Sequence, residues 1–573
     1  MLHSRSCTYR LLAPAVARRI TPLVPSQCLL QTHRSRTYSA EAAPSHDVAV
    51  LGGGITGLAA AHYVTREHPR AKVTLYEASD RVGGWVSSKR ADVHDGTVLF
   101  EGGPRTLRPN GNGVLAANAS QMQELDLTKD AIFTQKSSPA AQNRFVYYPD
   151  HIVRMPHPSA GLFNNLWSLM TEPVFATALK SGFMEAFTTG RDGSIQDESI
   201  AEFFSRRLSP TMVDRILSAV IHGIYAGDVN KLSAKSLFPN QWRHEAKYDS
   251  LIKGVIQERA EGTMVTKREA DFLQAMKVFE WDPLLKATLK DNSVFTFKDG
   301  LQMLPDRLHS RLFEDGRVEF KTGSPVESIV QSQGNSGIQV TTKGSTESKT
   351  HTHVISALSP EHLNTVCRHG SASSRLIDSI PTVTVMTVSM YFRTPDLHEP
   401  GFGYLIPQAT PFENNPERAL GVVFDTAYSP GSSDSRGTKV TVMLGGHWWD
   451  GWPAFPDEEE GVTMARAVLE RHLGIKEAPE AWQVNLQADC IPQYTVGHET
   501  RLKKAHNNIW QEYKGRLRVA GNWMSGVGVN DCLRSAYEVA RNLSKDGTGL
   551  QHVGEAPTLR MKPVRPGEKT EES

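Results

Sequence analysis

The sequence predicts a mixed α/β (α+β) protein: a parallel-sheet domain interrupted by long insertions, one rich in strands and one rich in helices. Three observations predict this. First, the apolar run "DVAVLG" breaks at Gly52-Gly53-Gly54, passes into the Ala-rich "ITGLAAAHYVTRE" and returns as "KVTLYEA", which reads as strand, helix, strand. Second, "RVAGNWMSGVGVNDCLRSAYEVARNL" (Arg518 to Leu543) repeats the order of strand, glycine turn and helix, 441 positions beyond Glu77 (518 − 77). Third, the 573 residues exceed what one compact core holds, so the segment between these two pieces must build further domains.

In chain order, residues 1–40 stand apart. They carry Arg5, Arg10, Arg18, Arg19, Arg34 and Arg36, many Ser and Thr, and no acid before Glu41, the composition of a mitochondrial presequence. "SRTYSA" (Ser35 to Ala40) is similar to a matrix-protease cleavage site. Removing the six arginines takes the formal charge from +1 to −5 (1 − 6), a safer value for a soluble mature protein.

The glycines come next. Gly52, Gly54 and Gly57 form G-x-G-x-x-G between the first strand and the helix, with Gly53, Ile55 and Thr56 between them. The first glycine permits the tight turn, the second lets a pyrophosphate approach bare backbone, and the third lets helix and strand pack closely. The phosphate then lies on the helix N-terminus, where unpaired N–H groups and the dipole favour an anion. Glu77 ends the second strand twenty residues after Gly57 (77 − 57), where this fold places a carboxylate for a ribose hydroxyl. A basic residue there would favour a 2′-phosphate, so NADP is not expected.

The following residues separate NAD from FAD. "EASDRVGGW" (Glu77 to Trp85) supplies Arg81, Gly83 and Gly84, which resemble the R-x-G-G second motif of FAD-dependent amine oxidases and desaturases. An arginine and two further small residues suit a cofactor that extends past the first βαβ unit, and the C-terminal strand, turn and helix return to close over it.

Composition excludes several other classes. The formal charge of +1 argues against nucleic acid. Cys7, Cys28, Cys367, Cys490 and Cys532 form no C-x-x-C, there is no H-E-x-x-H, and no metal site is expected. No G-x-S-x-G elbow appears. No apolar run is long enough to span a bilayer, which leaves a membrane-surface role open.

Further segments narrow the resemblance. "FEGGPRTLRP" (Phe100 to Pro109), "PAAQNRFVYY" (Pro139 to Tyr148), "GIYAGD" (Gly223 to Asp228), "GFGYLIP" (Gly401 to Pro407), "VTVMLGG" (Val440 to Gly446), "CIPQYTVGH" (Cys490 to His498) and "GVGVNDC" (Gly526 to Cys532) resemble the protoporphyrinogen oxidase family, in that family's order and over about Asp47 to Leu543. Trp85 stands where amine oxidases usually carry Arg. The resemblance implies non-covalent FAD, oxidation of protoporphyrinogen IX to protoporphyrin IX in haem synthesis by successive hydride transfers to flavin N5, molecular oxygen as acceptor with hydrogen peroxide as co-product, and peripheral placement on the mitochondrial inner membrane. A homodimer is compatible with it.

Carried over residue by residue, the resemblance implies FAD contacts at Gly52, Gly53, Gly54, Ile55, Thr56, Gly57, Glu77, Ala78, Arg81, Gly84, Trp85, Gly103, Pro104, Arg105, Thr106, Val326, Asn522, Val527, Gly528 and Val529. It implies a macrocycle pocket at Gly223, Gly403, Leu405, Val423 and Met443, all small or apolar, as the face of a large flat ring requires. No residue is implied as a catalytic acid or base. The family often places an arginine for a substrate propionate near "NGNGVLAANASQ"; this chain has Asn118 there, and Arg108 and Arg144 are the substitutes.

The family architecture gives a discontinuous Rossmann-like FAD domain at 46–119, 288–357 and 498–548, a substrate-binding sheet domain at 358–497, a helical, membrane-associated region at 120–287 with the amphipathic "AGLFNNLWSLM" (Ala160 to Met170), and a disordered tail at 549–573. Two rivals share the first motifs: a generic amine oxidase or carotenoid-type desaturase, and a flavin-free binder of prenylated GTPases. A visible spectrum separates the binder, and porphyrin formation separates the two enzymes.

Overall fold

Parallel strands covered on both faces read as continuous apolar runs, and Val48–Leu51 and Val73–Tyr76 are buried throughout. In the computed structural model, which describes residues 9–11, 46–109, 122–277, 282–367, 375–429, 431–545 and 547–563, they lie side by side in a five-stranded parallel sheet. Its order is Val318–Lys321, Lys72–Tyr76, Asp47–Leu51, His353–Ser356, Leu517–Val519, with Val50 opposite both Leu75 and Ile355. Helix Ile55–Glu67, buried from Ile55 to Thr65, packs against helices Met303–Asp315 and Val529–Arg541 on one face. Leu502, Ile509 and Tyr513 of helix His498–Tyr513 cover the other face, together with Ile329 and Val340 of a three-stranded antiparallel sheet. Each such aliphatic side chain contributes roughly 1.5–3 kcal/mol on burial. Three segments far apart in sequence thus share one core.

The inserted domain is a seven-stranded sheet in the order Ala481–Pro492, Thr382–Phe392, Thr438–Gly445, Ala419–Phe424, Gly403–Leu405, Phe145–Tyr147, Ile152–Arg154. Its last two strands correct the expected boundaries. Strands enter the region expected to be helical: Ala131–Gln135 pairs with Asn292–Phe297, and Phe145–Tyr147 runs parallel to Gly403–Leu405, with only the short helix Pro139–Gln142 between them. Leu363, Ile377 and Ile380 also side with the parallel sheet, where they join the core of Ile329 and Leu502. One face of the large sheet, with Tyr404, Val422, Phe424 and Val442, packs on helix Glu458–Leu473. The opposite face turns towards the glycine loops.

Helices dominate 162–291. Buried Arg207 pairs with Glu185, whose carboxylate also accepts from Ser250 Oγ (2.8 Å) and the Leu251 N–H (2.6 Å), while Arg191 and Arg206 hold Glu245. An acid at the start of helix Leu251–Glu261 suits its dipole. The network clamps these helices beneath a surface on which Leu162, Phe163, Trp167, Met170, Phe183 and Phe187 are exposed. Among the described residues, no helix is long and apolar enough to cross a membrane.

The tail differs from expectation. Leu559–Pro563 is a strand paired with Thr263–Val265 and with Tyr9–Leu11, and Met561 is buried beside Val265 and Ala270. A strand edge and an apolar pocket for Met561 outweigh the polar composition that predicted disorder. Apart from Tyr9–Leu11, the expected presequence lies outside the described residues.

Candidate functional site

The glycine turn divides its labour in a definite way. Gly52 has φ +95° and donates its N–H to Tyr76 O (2.8 Å), so it makes the left-handed turn. A Cβ on Gly57 would lie 1.8 Å from Gly52 O, which explains the third glycine by contact alone. Gly54 differs: its φ is −67°, an ordinary value, and a Cβ there would meet only Gly84 Cα, at 3.9 Å. The freedom at Gly54 is therefore space rather than torsion, and it is the space a phosphate needs. Ile55 and Thr56 open the helix behind it.

Glu77 reaches back to this turn. Its Oε2 accepts from the Gly53 N–H (2.6 Å) and its Oε1 from Ser79 N–H (2.9 Å) and Ser79 Oγ (2.7 Å), beside exposed Ala78. Val326 follows a turn whose Ser324 N–H donates to Glu77 O (2.9 Å), so it stands at the same end. The second glycine loop lies on the first: Gly83 N–H donates to Gly53 O (2.8 Å), and Gly83 and Gly84 both have positive φ. Arg81 braces that loop through Val82 O and Gly84 O, and Trp85 is half exposed beside it.

The C-terminal segment closes the cradle. Helix Val529–Arg541 starts at Gly528, just after Val527, and the Cys532 thiol meets Thr56, so two helix N-termini converge. Burial pushes that thiol up to about 11. Asn522 donates to Cys490 O (3.1 Å) and so ties this segment to the edge strand of the large sheet.

The loop Gly102 to Thr106 joins cofactor side to sheet. Gly102 O accepts from Thr387 Oγ1 (3.2 Å) and Gln487 Nε2 (2.5 Å), and a Cβ on Gly103 would lie 2.5 Å from Trp85 O. Beyond Pro104, Arg105 is buried and donates to Asp425 Oδ1 (3.0 Å); the Asp425 carboxylate also accepts from Tyr428 OH (2.5 Å) and Thr441 Oγ1 (2.6 Å). Burial opposes the Arg105 charge, but Asp425, Tyr428 and Glu101 together outweigh it and hold the guanidinium above its ordinary value. Burial pushes neighbouring Glu101 up to about 7 although Ser88 and the Leu301 N–H donate to it. Arg105, assigned by the resemblance to the cofactor, thus faces the sheet. Asp425, Thr441 and Gln487 were missed in the sequence. A lone acid within the apolar "VVFDTAY" was the available signal, because a buried carboxylate requires partners.

Four of the five residues expected to line the macrocycle pocket share that same sheet face. Gly403 is opposite Val423, Leu405 is opposite Gly421, and Gly421 is opposite Met443. Gly223, on helix Ser218–Tyr225, closes the side: a Cβ there would meet both Leu405 methyls at 2.9 Å. Arg144 lies over the Phe402 ring (4.2 Å), and burial, then Arg108, lower its pKa. Among the described residues, neither arginine pairs with a carboxylate. Asn118 lies outside the described residues.

The residues fit FAD. Gly54 leaves open space at a helix N-terminus, a Cβ on Gly84 would come within 3.1 Å of Gly54 Cα, Glu77 stands at the end of the second strand, and a second helix N-terminus faces the first. Buried Asn485 Nδ2 and Gln483 Oε1 have no hydrogen-bond partner next to Gly102, and so offer polar contacts towards this loop.

Two interlocked glycine loops, a returning C-terminal helix and a facing sheet define a flavin-dependent oxidoreductase, and the chain belongs to the flavin containing amine oxidoreductase family, whose profile matches residues 55–544. Its cofactor is FAD. The chain is 33% identical to protoporphyrinogen oxidase of Schizosaccharomyces pombe over 87% of its own length and 98% of that protein, and 31% identical to protoporphyrinogen oxidase of Homo sapiens over 86% and 97%. A crystal structure from Exiguobacterium sp. 255-15, provisionally assigned as a protoporphyrinogen oxidase, matches with a TM-score of 0.66 at 20% identity, covering 87% of this chain and 99% of that one; at that identity it speaks for the fold.

Proposed function

We propose that this chain oxidises protoporphyrinogen IX to protoporphyrin IX, removing six electrons in three two-electron steps and reducing three molecules of oxygen to three of hydrogen peroxide. The observation that carries the reading is the pocket: Gly223, Gly403, Leu405, Val423 and Met443 line a face of small and apolar groups that is bonded directly to the cofactor loop. Relatives of the same length that carry the name protoporphyrinogen oxidase support it.

Bound FAD supplies the two-electron acceptor at N5. The chain's own part is positional. The sheet face holds a flat ring, the Gly102–Arg105 loop fixes the distance between ring and cofactor, and the apolar walls keep water out. Each step also releases a proton, and among the described residues no side chain of the pocket is a base poised for it. Arg144, with no carboxylate of its own, is the residue for a substrate propionate, since a planar guanidinium matches a carboxylate.

The test is direct. Purified protein should be yellow, with a flavin spectrum, and should generate porphyrin fluorescence from protoporphyrinogen IX with matching oxygen uptake. A flavoprotein that oxidises amines and leaves the porphyrinogen untouched would refute the substrate.

The reading extends to location. The acid-free, Arg-rich residues 1–40 act as a mitochondrial presequence, and the apolar surface of Leu162, Phe163, Trp167, Met170, Phe183 and Phe187 rests on the inner membrane without crossing it. Deleting residues 2–38 should abolish import while flavin binding survives. Trp167→Glu with Phe183→Glu should abolish co-flotation with anionic liposomes. Normal import, or normal flotation, would refute the corresponding half.

A further inference from the structure

Three of the four elements that wall the pocket are helix Ser218–Tyr225 with Gly223, strand Gly403–Leu405, and strand Thr438–Gly445 with Met443. One imidazole touches all three neighbourhoods. His222 immediately precedes Gly223, is almost wholly buried, and places Nδ1 2.6 Å from the carbonyl oxygen of Ile406, the residue after Leu405. Its Nε2 lies 2.8 Å from His447 Nε2, just beyond the end of the Met443 strand.

The turn that delivers His447 is built for close approach. Gly445 and Gly446 have φ +93° and +62°, and a Cβ on Gly446 would lie 2.3 Å from Ala226 O. The same oxygen accepts the His447 N–H (2.8 Å) at the end of the Gly223 helix. Trp448 packs on both rings, 4.2 Å from His447 and 5.7 Å from His222. The proton arrangement follows from the partners. A carbonyl facing Nδ1 makes His222 the Nδ1–H tautomer, leaving its Nε2 to accept from His447 Nε2–H. Gln408 Nε2, 3.3 Å from that His447 nitrogen, is also a donor and gives its N–H to Asp228 Oδ1 (3.1 Å), so the His447 Nε2–H is directed to His222 alone.

We propose that the His222–His447 pair is a positioning device that sets the spacing of these three pocket walls, and thereby how tightly the macrocycle is held. This rests on the reading that the pocket takes a tetrapyrrole. The pair's work is geometric rather than acid–base. Burial, reinforced by His447, lowers His222 to about 3. Burial also lowers His447 to about 4, with Arg418 and Lys231 favouring the neutral form and Asp228 and Asp450 opposing them. Bases this weak collect no protons at neutral pH, whereas two neutral rings can hold a donor–acceptor bond across the whole physiological range.

The tie is loosened by His447→Leu, which removes the donor, and preserved by His447→Gln, whose amide N–H still reaches His222 Nε2. His222→Leu breaks both bonds. The FAD-loaded enzyme would be assayed for FAD content, melting temperature, KM and kcat, and equilibrium binding of protoporphyrin IX by quenching of its fluorescence. Loss of one such hydrogen bond corresponds to about a threefold to tenfold change in an equilibrium. For His447→Leu we expect KM and porphyrin Kd to rise by about that factor, with kcat within about twofold and FAD content unchanged. His447→Gln should restore both constants, and the double variant His222→Leu/His447→Leu should be no worse than His222→Leu alone. Should His222→Leu fail to fold, the two His447 variants still decide. Unchanged KM and Kd in His447→Leu, or Gln behaving like Leu, overturns the inference while wild-type porphyrin binding leaves the substrate reading intact. Wild-type protein that holds FAD but binds no porphyrin overturns the substrate reading and the inference with it.

Discussion

Gly54→Val and Gly57→Ala fall in the same six-residue turn and should fail for opposite reasons. At Gly57 the added Cβ would lie 1.8 Å from Gly52 O and 3.0 Å from Gly52 C, both backbone atoms. Strand and helix must part by more than an ångström to admit it. Overpacking a core costs about 1–3 kcal/mol, and the upper end applies when backbone must move. For a cofactor domain of about 200 residues that corresponds to a fall in melting temperature of roughly 5–10 °C in the apo-protein. At Gly54 the nearest atom to an added Cβ is Gly84 Cα at 3.9 Å, and φ −67° suits valine, so the apo-protein should melt within about 2 °C of wild type. Its methyls then fill the open space beside Gly54 where a pyrophosphate would approach the backbone. Excluding the pyrophosphate from two or more backbone contacts should weaken FAD by at least about a hundredfold, or 2.7 kcal/mol. The assay is thermal unfolding of deflavinated protein, followed by FAD titration monitored by flavin fluorescence. A Gly54→Val protein that binds FAD like wild type, or a Gly57→Ala apo-protein as stable as wild type, would refute this division of roles.

Glu77→Gln keeps the shape but loses the charge that now accepts from Gly53 and Ser79. FAD should bind about tenfold to a hundredfold more weakly, with turnover at saturation close to wild type, and unchanged affinity would remove Glu77 from the ribose. Met443→Arg should cut turnover at least about tenfold while FAD content stays near wild type, because a cation on this apolar face is costly to desolvate; parallel loss of FAD would make Met443 part of the cofactor shell. His472 stacks on Tyr147 at 3.6 Å and is lowered by burial to about 4. Its folded pKa lies below the unfolded value of about 6.5, so its contribution is present above pH 6.5 and lost as pH falls towards 4, roughly 3 kcal/mol in all. Urea midpoints measured from pH 7 to pH 4 should therefore fall less steeply in His472→Gln, and identical slopes would refute the assignment.

The cofactor half of the protein was legible in the sequence because its demands are local. Gly52 needs a left-handed backbone, Gly57 meets its own turn, and Glu77 ends a strand whose length is set by the sheet, so each requirement shows within thirty residues. The return of Arg518 to Leu543 was legible for the same reason. What failed was non-local. Phe145–Tyr147 and Ile152–Arg154 are three-residue strands, too short for a period of two to register; they pair with each other, and the strand that joins Phe145–Tyr147 to the sheet, Gly403–Leu405, lies some 250 residues downstream. Arg105 and Asp425 are separated by 320 residues, and nothing near either names the other. Gly54 shows a subtler limit: sequence marks a glycine as necessary, but only the structure separates a need for torsion from a need for space. The ordered strand Leu559–Pro563 depends on the edge of Thr263–Val265, which the polar tail does not announce.

The link between the two domains follows from where charge is buried. Gly102 O is held by Thr387 and Gln487, and Arg105 by Asp425, so the cofactor loop is fastened to the sheet at three points over four residues. Lys439, also buried, donates to Leu99 O (2.6 Å) behind it. Two cations, Arg105 and Lys439, therefore face two acids, Asp425 and Glu101, and burial raises one of those acids to about 7. Breaking one partner of such a cluster leaves an unpaired buried charge, which costs about 3–5 kcal/mol. A hinge between cofactor and substrate domains would have to break these contacts with every opening. The cluster therefore makes the distance from Gly103 to the Met443 face a fixed property of the fold, and a rigid distance suits the proposed reaction, in which positioning is the main requirement.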